Sequence, residues 1–323
     1  MNTLYSKLRL FSHVIFLLVW VNGLQSQQLP LFTQYREYHG YINPGSIPYD
    51  YYINGLQFQA GLSYRTQWQG VEGAPTTQLL QASYIFNEIG SVELLTGMTI
   101  LNDQTGPLGL TGFNFRTSVI IGDSDYGFIS IGLSAGINQY RIKTKELEAT
   151  HPGEIFDRDL STQFFPDIGI GLFGQIRVGS KTSHTIYGGI SMPQTFGFNV
   201  SFDGTGRSFD IKRVPHYYAL VGAYLYFSDD QYFLEPSIWI RTLLTDLYSI
   251  DVNLRYNIRD LLWIGLGYSI NQSIHAEVGL ILGGEEQGWN QQIRIGYGFD
   301  NGYNPSYGAS FGPSHEINLS FAF

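Results

Sequence analysis

Apolar and polar residues alternate with a period of two along most of the chain beyond residue 55. From Leu56 to Arg65 one face reads Leu56, Phe58, Ala60, Leu62 and Tyr64, and the other Gln57, Gln59, Gly61, Ser63 and Arg65. Ile250, Val252, Leu254, Tyr256 and Ile258 alternate with Asp251, Asn253, Arg255 and Asn257. The pattern recurs through Ile274, Ala276, Val278, Leu280 and Leu282, and through Ile293, Ile295, Tyr297 and Phe299. Successive strand side chains point to opposite faces, so each segment predicts a strand with one apolar and one polar face. About fourteen strands are predicted. They lie near 55–65, 77–86, 92–101, 109–121, 126–140, 165–178, 184–192, 215–227, 232–243, 247–258, 261–270, 273–282, 290–299 and 313–323.

The connections separate a membrane barrel from a soluble β-sandwich. Short turns (Asn87-Glu88, Gly122 to Asp125, Gly179 to Lys181, Ser228 to Asp230, Arg259-Asp260) alternate with longer stretches near 66–76, 141–164, 193–214 and 300–312. Two connections on the long side, near 244–246 and 271–272, are short. Short turns on one rim and long loops on the other are the plan of an outer-membrane barrel, with the short rim periplasmic and the long loops extracellular. The predicted fold is therefore all-β, a transmembrane antiparallel β-barrel occupying residues 55–323. Because a cation facing the bilayer midplane costs about 2–4 kcal/mol, mid-strand charges are expected to face the lumen. Arg65, Asp251, Arg255, Glu277, Arg294 and Glu316 each lie opposite the apolar row of their own strand.

Composition agrees. Charged residues are 14% of the 323, against roughly 25% in soluble domains, while Gly (38), Tyr (23) and Phe (22) are abundant. With no Cys, disulfides, thiolate metal sites and cysteine nucleophiles are excluded. A formal charge of −9 argues against nucleic acid as a partner. No stretch approaches the length of a spanning helix.

Lys7 and Arg9, the apolar run Val14 to Val21 and the polar stretch Asn22 to Ser26 follow the order of a secretory signal peptide, expected to be cleaved after Ser26. Residues 27–54, with Pro30, Pro44 and Pro48, precede the first strand as either a lumenal plug or a periplasmic segment. Gly132-Leu133-Ser134-Ala135-Gly136 matches the nucleophile-elbow pattern, but it sits inside an alternating strand with no helix after it. Gly169 to Gly174 matches G-x-G-x-x-G without a surrounding βαβ unit. The seven histidines show no metal-ligand spacing. No enzyme, metal or cofactor is expected.

Several blocks together resemble the PorP/SprF family of type IX secretion and gliding proteins. They are Gln28 to Tyr35, Ile42-Asn43-Pro44-Gly45, Tyr64 to Gln78, Asn102 to Pro107, Gly132 to Tyr140, His216-Tyr217-Tyr218 and Gly312 to Ile317. Arg36-Glu37-Tyr38-His39 replaces a more apolar stretch, and Gly45-Ser46 stands where Ala-Tyr is usual. The resemblance implies a non-enzymatic outer-membrane component whose partners are type IX secretion components and a cell-surface adhesin cargo. The alternative is a general diffusion porin or hydrophobic-solute transporter in the same outer-membrane lipid. On the resemblance, the partner-binding set is Arg65, Gln67, Trp68, Gly70, Gly73 and Pro75. The terminal row Ile317, Leu319, Phe321 and Phe323 resembles the signal read by barrel-insertion machinery, with Phe321 and Phe323 as assembly residues. The charge-rich segment from Arg141 to Phe165 reads as an outer loop that either covers the pore or is simply solvated.

Overall fold

The computed structural model describes residues 32–89, 92–123, 126–144, 159–179, 184–195, 197, 199–202, 209–227, 232–243, 248–258, 261–270, 273–284, 288–304 and 309–323. Residues 1–26, where a signal peptide is expected, and most of the charged 141–165 stretch lie outside these residues.

Fourteen long antiparallel strands close on themselves. In chain order they are β1 (Phe58–Thr66), β2 (Thr76–Ile89), β3 (Val92–Thr105), β4 (Leu108–Asp123), β5 (Gly127–Ile142), β7 (Phe165–Val178), β8 (His184–Gln194) and β11 (His216–Phe227), followed by β12 (Tyr232–Thr242), β13 (Tyr248–Ile258), β14 (Leu262–Ser269), β15 (Ser273–Gly283), β16 (Gln292–Asn304) and β17 (Ala309–Ala322). β1 pairs with β17 from Gln59↔Ala322 to Thr66↔His315, which shuts the ring. Three short strands stand apart from the wall: β6 (Leu160–Ser161) pairs with the end of β5, and β9 (Asn199–Phe202) pairs with β10 (Phe209–Lys212) as a hairpin in the β8–β11 connection. Closure leaves no wall edge unpaired, the condition for backbone in hydrocarbon.

Burial is inverted relative to a soluble protein. Leu62, Ile131 and Leu266 on the outward rows are 51%, 54% and 67% exposed, whereas Arg255, Arg294 and Glu316 on the inward rows are 1%, 1% and 0% exposed. All six charges expected to face the lumen are buried there. Aromatics sit near the short-turn ends of the wall, with Phe58 and Phe323 in ring contact at 4.8 Å and Tyr126 largely exposed. Such rings, apolar in body and polar at the edge, suit a membrane interface.

The wall is taller than the alternation suggests. β3 and β4 continue to a tight turn at Gly106-Pro107, where Gly106 takes φ 52, and β16 and β17 run on to Asn304 and from Ala309. The expected 300–312 loop is thus mostly strand. Above the hydrocarbon no apolar outward row is needed, so polar residues can extend the ladder. Asn102 Nδ2 donates to Gln78 Oε1 at 3.3 Å, and Thr111 Oγ1 donates to Asn102 Oδ1 at 3.3 Å, on that exposed face.

Candidate functional site: the filled lumen and the long-loop rim

The bore is occupied by the chain's own N-terminal segment. Its first helical element is a 3-10 turn (Tyr35–Tyr38), followed by α1 (His39–Ile42) and α2 (Tyr49–Asn54). Pro48 precedes α2 and Gly55, at φ 71, ends it, so the chain can turn directly into β1. The segment descends from the long-loop half towards the short-turn rim. Thr33 N donates to Glu316 Oε2 at 2.7 Å, and its hydroxyl bonds Asp300 and Arg65, all close to the long-loop ends of their strands. Asp50 meets Arg294 Nη1 at 2.9 Å, and Gln59 Nε2 donates to its other oxygen at 3.3 Å, near the opposite rim.

Three charges of this segment interlock with four of the wall. Arg36 Nε lies 2.8 Å from Glu235 Oε1 and Arg36 Nη1 lies 3.1 Å from Glu277 Oε1. Glu37 Oε1 receives Arg255 Nη1 at 3.3 Å and Arg294 Nη2 at 3.1 Å, while Arg255 is bidentate on Glu277 at 3.0 and 2.8 Å. Neutral contacts finish the fit: Tyr35 OH shares a 2.7 Å bond with Ser237 Oγ, and its ring stacks on Trp239 at 4.6 Å. A buried ion pair contributes little net stability, but removing one partner strands a buried charge at a cost of about 3–5 kcal/mol. The network therefore fixes the segment's position more than it strengthens the barrel.

A row of small inward residues makes room for the turn that follows α1. Ser118, Gly132, Gly171 and Ser191 are cross-strand neighbours on β4, β5, β7 and β8. A Cβ on Gly132 would fall inside the Pro44–Gly45 peptide, and one on Gly171 would overlap the Asn43 side chain. The flanking serines grip the same turn: Ser118 Oγ donates to Pro44 O at 2.6 Å and Ser191 Oγ to Ile42 O at 2.9 Å. Gly132 and Gly171 belong to the nucleophile-elbow and G-x-G-x-x-G matches, and their role here is close backbone approach.

Towards the long-loop rim, Val200 and Phe202 of β9 are buried in one cluster with Phe32, Tyr38, Tyr140 and Phe165, so the hairpin caps the bore. A second cluster, including Ile47, Phe173, Tyr187 and Phe233, fills the half nearer the short turns.

The predicted partner-binding residues divide. Arg65 is 4% exposed and faces inward, paired with Asp300 at 2.6 Å and Glu316 at 3.4 Å. It is committed to the lumen rather than to an outer surface, as its place on the polar row requires. Gln67 to Pro75 form an ordered loop on the long-loop rim. Gln67 N donates to Pro75 O at 2.9 Å, Gln69 N to Pro313 O at 2.8 Å, and Gly106 N to Gly73 O at 2.8 Å. Gly70 and Gly73 take φ 95 and 72, and Trp68 is at φ 50 with its side chain 40% exposed. At the other rim Phe323 exchanges both backbone bonds with Phe58, at 2.8 and 3.0 Å, and is half-exposed beside Phe321. Sequence reasoning missed Arg36, Glu37 and Asp50 as functional residues; the available signal was three charges within an otherwise aromatic and Pro-rich stretch.

A closed strand ring with an apolar outer wall and a charged, filled bore defines an integral outer-membrane β-barrel. The chain belongs to the PorP/SprF family: the family model described as Type IX secretion system membrane protein PorP/SprF matches residues 24–321. It is thus an outer-membrane component of type IX secretion. No curated protein matches it. Among solved structures it is similar to the TodX deltaS2S3 mutant monoaromatic hydrocarbon channel, at 10% identity and TM-score 0.52, over 88% of this chain and 93% of that one. It is also similar to the Ralstonia pickettii toluene transporter TbuX, at 10% identity and TM-score 0.51, over 88% and 92%. At that identity the likeness is one of fold.

Proposed function

We propose that the protein acts without catalysis, as a scaffold at the outer membrane that holds a type IX cargo, such as a large adhesin, or a secretion component on its long-loop rim. Residues 1–26 serve as a cleaved export signal, 27–54 as the plug segment and 55–323 as the barrel. Phe321 and Phe323 serve barrel assembly, and the loop from Gln67 to Pro75, with Trp68 at its surface, contributes to the partner contact. The family match along residues 24–321 carries this reading. A filled bore agrees with it, because a scaffold has no need of solute flux whereas a general diffusion porin needs an open one.

Replacing residues 67–75 with a short Gly-Ser turn tests the rim. Loop backbone outside the hydrocarbon is dispensable for insertion, so barrel amount and heat-modifiable gel mobility should stay normal. Surface display of the cargo should fall, with cargo appearing in the medium or periplasm. Unchanged display of every type IX cargo at normal barrel levels would refute the assignment of this loop.

A further inference from the structure

Six arginines are buried among the described residues, and five of them touch a carboxylate: Arg36, Arg65, Arg213, Arg255 and Arg294. Arg116 on β4 does not. Its Nη1 donates to two carbonyls of the plug segment, Ser46 O at 2.6 Å and Pro44 O at 3.3 Å, while Nε and Nη2 have no acceptor among the described residues. Gly40 lies flat against the guanidinium, since a Cβ there would sit 2.6–2.8 Å from Cζ, Nη2 and Nε. Two small cavities adjoin this group, about 30 and about 20 Å³, and both are lined by Gly40, Thr99 and Arg116. Cavities above roughly 10–15 Å³ admit a water-sized particle, so each has room for one or two.

The two cavities differ in charge. The larger is lined by Arg116 and by Asp167, whose Oδ2 is engaged by Arg213 at 3.0 Å and whose Oδ1 has no partner among the described residues. The smaller is lined by two guanidiniums, Arg36 and Arg116, and by one carboxylate, Glu37, which Arg255 and Arg294 also engage. His39, which lines the smaller cavity, is pushed down to about 3 by its burial and by the cations Arg36, Arg255 and Arg116. An uncompensated buried cation costs several kcal/mol, and a mobile counter-ion is the simplest remedy where no carboxylate reaches.

We propose that the smaller cavity beside Arg116 binds one small monovalent inorganic anion of chloride size, which neutralises the guanidinium and ties the plug turn at Pro44–Ser46 to the wall. Neither the family nor the scaffold role assigns such a site.

The full chain in detergent is crystallised with bromide in place of chloride, and plug amides 40–47 are followed by hydrogen exchange in chloride and in gluconate at equal ionic strength. A bromide anomalous peak within hydrogen-bond distance of Arg116 Nε or Nη2 is expected. Exchange should be slower in chloride by the linkage factor, about tenfold when chloride is ten times its dissociation constant. The chloride effect should vanish in Arg116→Gln. If that variant does not fold, Gly40→Ala, whose Cβ displaces the guanidinium, should abolish it instead. Water alone at the site, equal exchange in the two salts, or a chloride effect that survives in the folded variant overturns the proposal.

Discussion

Removing one charge from the plug segment should loosen the segment while sparing the barrel. Arg36 is the most informative position. Glu235 is fully buried, and its contacts are Arg36 Nε at 2.8 Å and the Tyr187 hydroxyl, so Arg36→Met leaves this carboxylate without a cation. Glu277 is less affected because it keeps both bonds from Arg255. A stranded buried partner costs about 3–5 kcal/mol. At 1.4 kcal/mol per factor of ten, this is an increase of roughly two to three and a half decades in the open fraction of the segment. Native-state hydrogen exchange of amides 32–54 reads that fraction directly. The double variant Arg36→Met with Glu235→Gln removes the orphaned charge and keeps an acceptor for Tyr187, so its exchange should return towards wild type. Plug exchange in Arg36→Met within tenfold of wild type, or a double variant looser than the single one, would refute the reasoning.

Other consequences follow from particular residues. Gly132→Val pushes a side chain into the Pro44–Gly45 peptide at an overpacking cost of about 1–3 kcal/mol, so plug amides should exchange faster while heat-modifiable mobility is kept. His39 is held neutral, with its pKa lowered from 6.5 to about 3, so an opened segment binds a proton that the docked one does not. Docking should be strongest above pH 6.5 and weaken as pH falls from 6.5 towards 5, and His39→Phe should flatten that slope in the exchange rates. Because the chain has no Cys, single-cysteine variants give a clean orientation assay. Trp68→Cys on the long-loop rim should react with an impermeant maleimide on intact cells, and Tyr126→Cys on the short-turn rim only after the outer membrane is opened.

Much of the wall is legible in the sequence because the bilayer imposes one rule on every strand at its depth. The alternation alone assigns Arg255 and Glu277 to the lumen, since either one facing lipid would be prohibitive, and the two pair with each other there. That rule lapses above the hydrocarbon, so the polar run Asn102-Asp103-Gln104 reads as the end of β3 when it is a continuation of the strand. The N-terminal segment is illegible for a different reason. Its helical pieces are four and six residues long, too short for a periodic stripe, and its placement depends on contacts distant in the chain, such as Arg36 with Glu235 and Glu37 with Arg255. Gly132 and Gly171 show the same limit, since nothing local distinguishes a glycine that admits a plug from one that merely tolerates a strand. Arg65 belongs in the lumen by its row, and its inclusion in a partner surface conflicts with that same row.

The measurement that bears most directly on a filled bore is ionic current through the intact protein in planar bilayers. The full-length barrel should insert without steady conductance, and a variant lacking Phe32–Asn54 should show stepwise openings, since that deletion removes residues packed into both halves of the lumen core. Stable ohmic channels from the intact protein would contradict a sealed lumen and return the porin reading to first place.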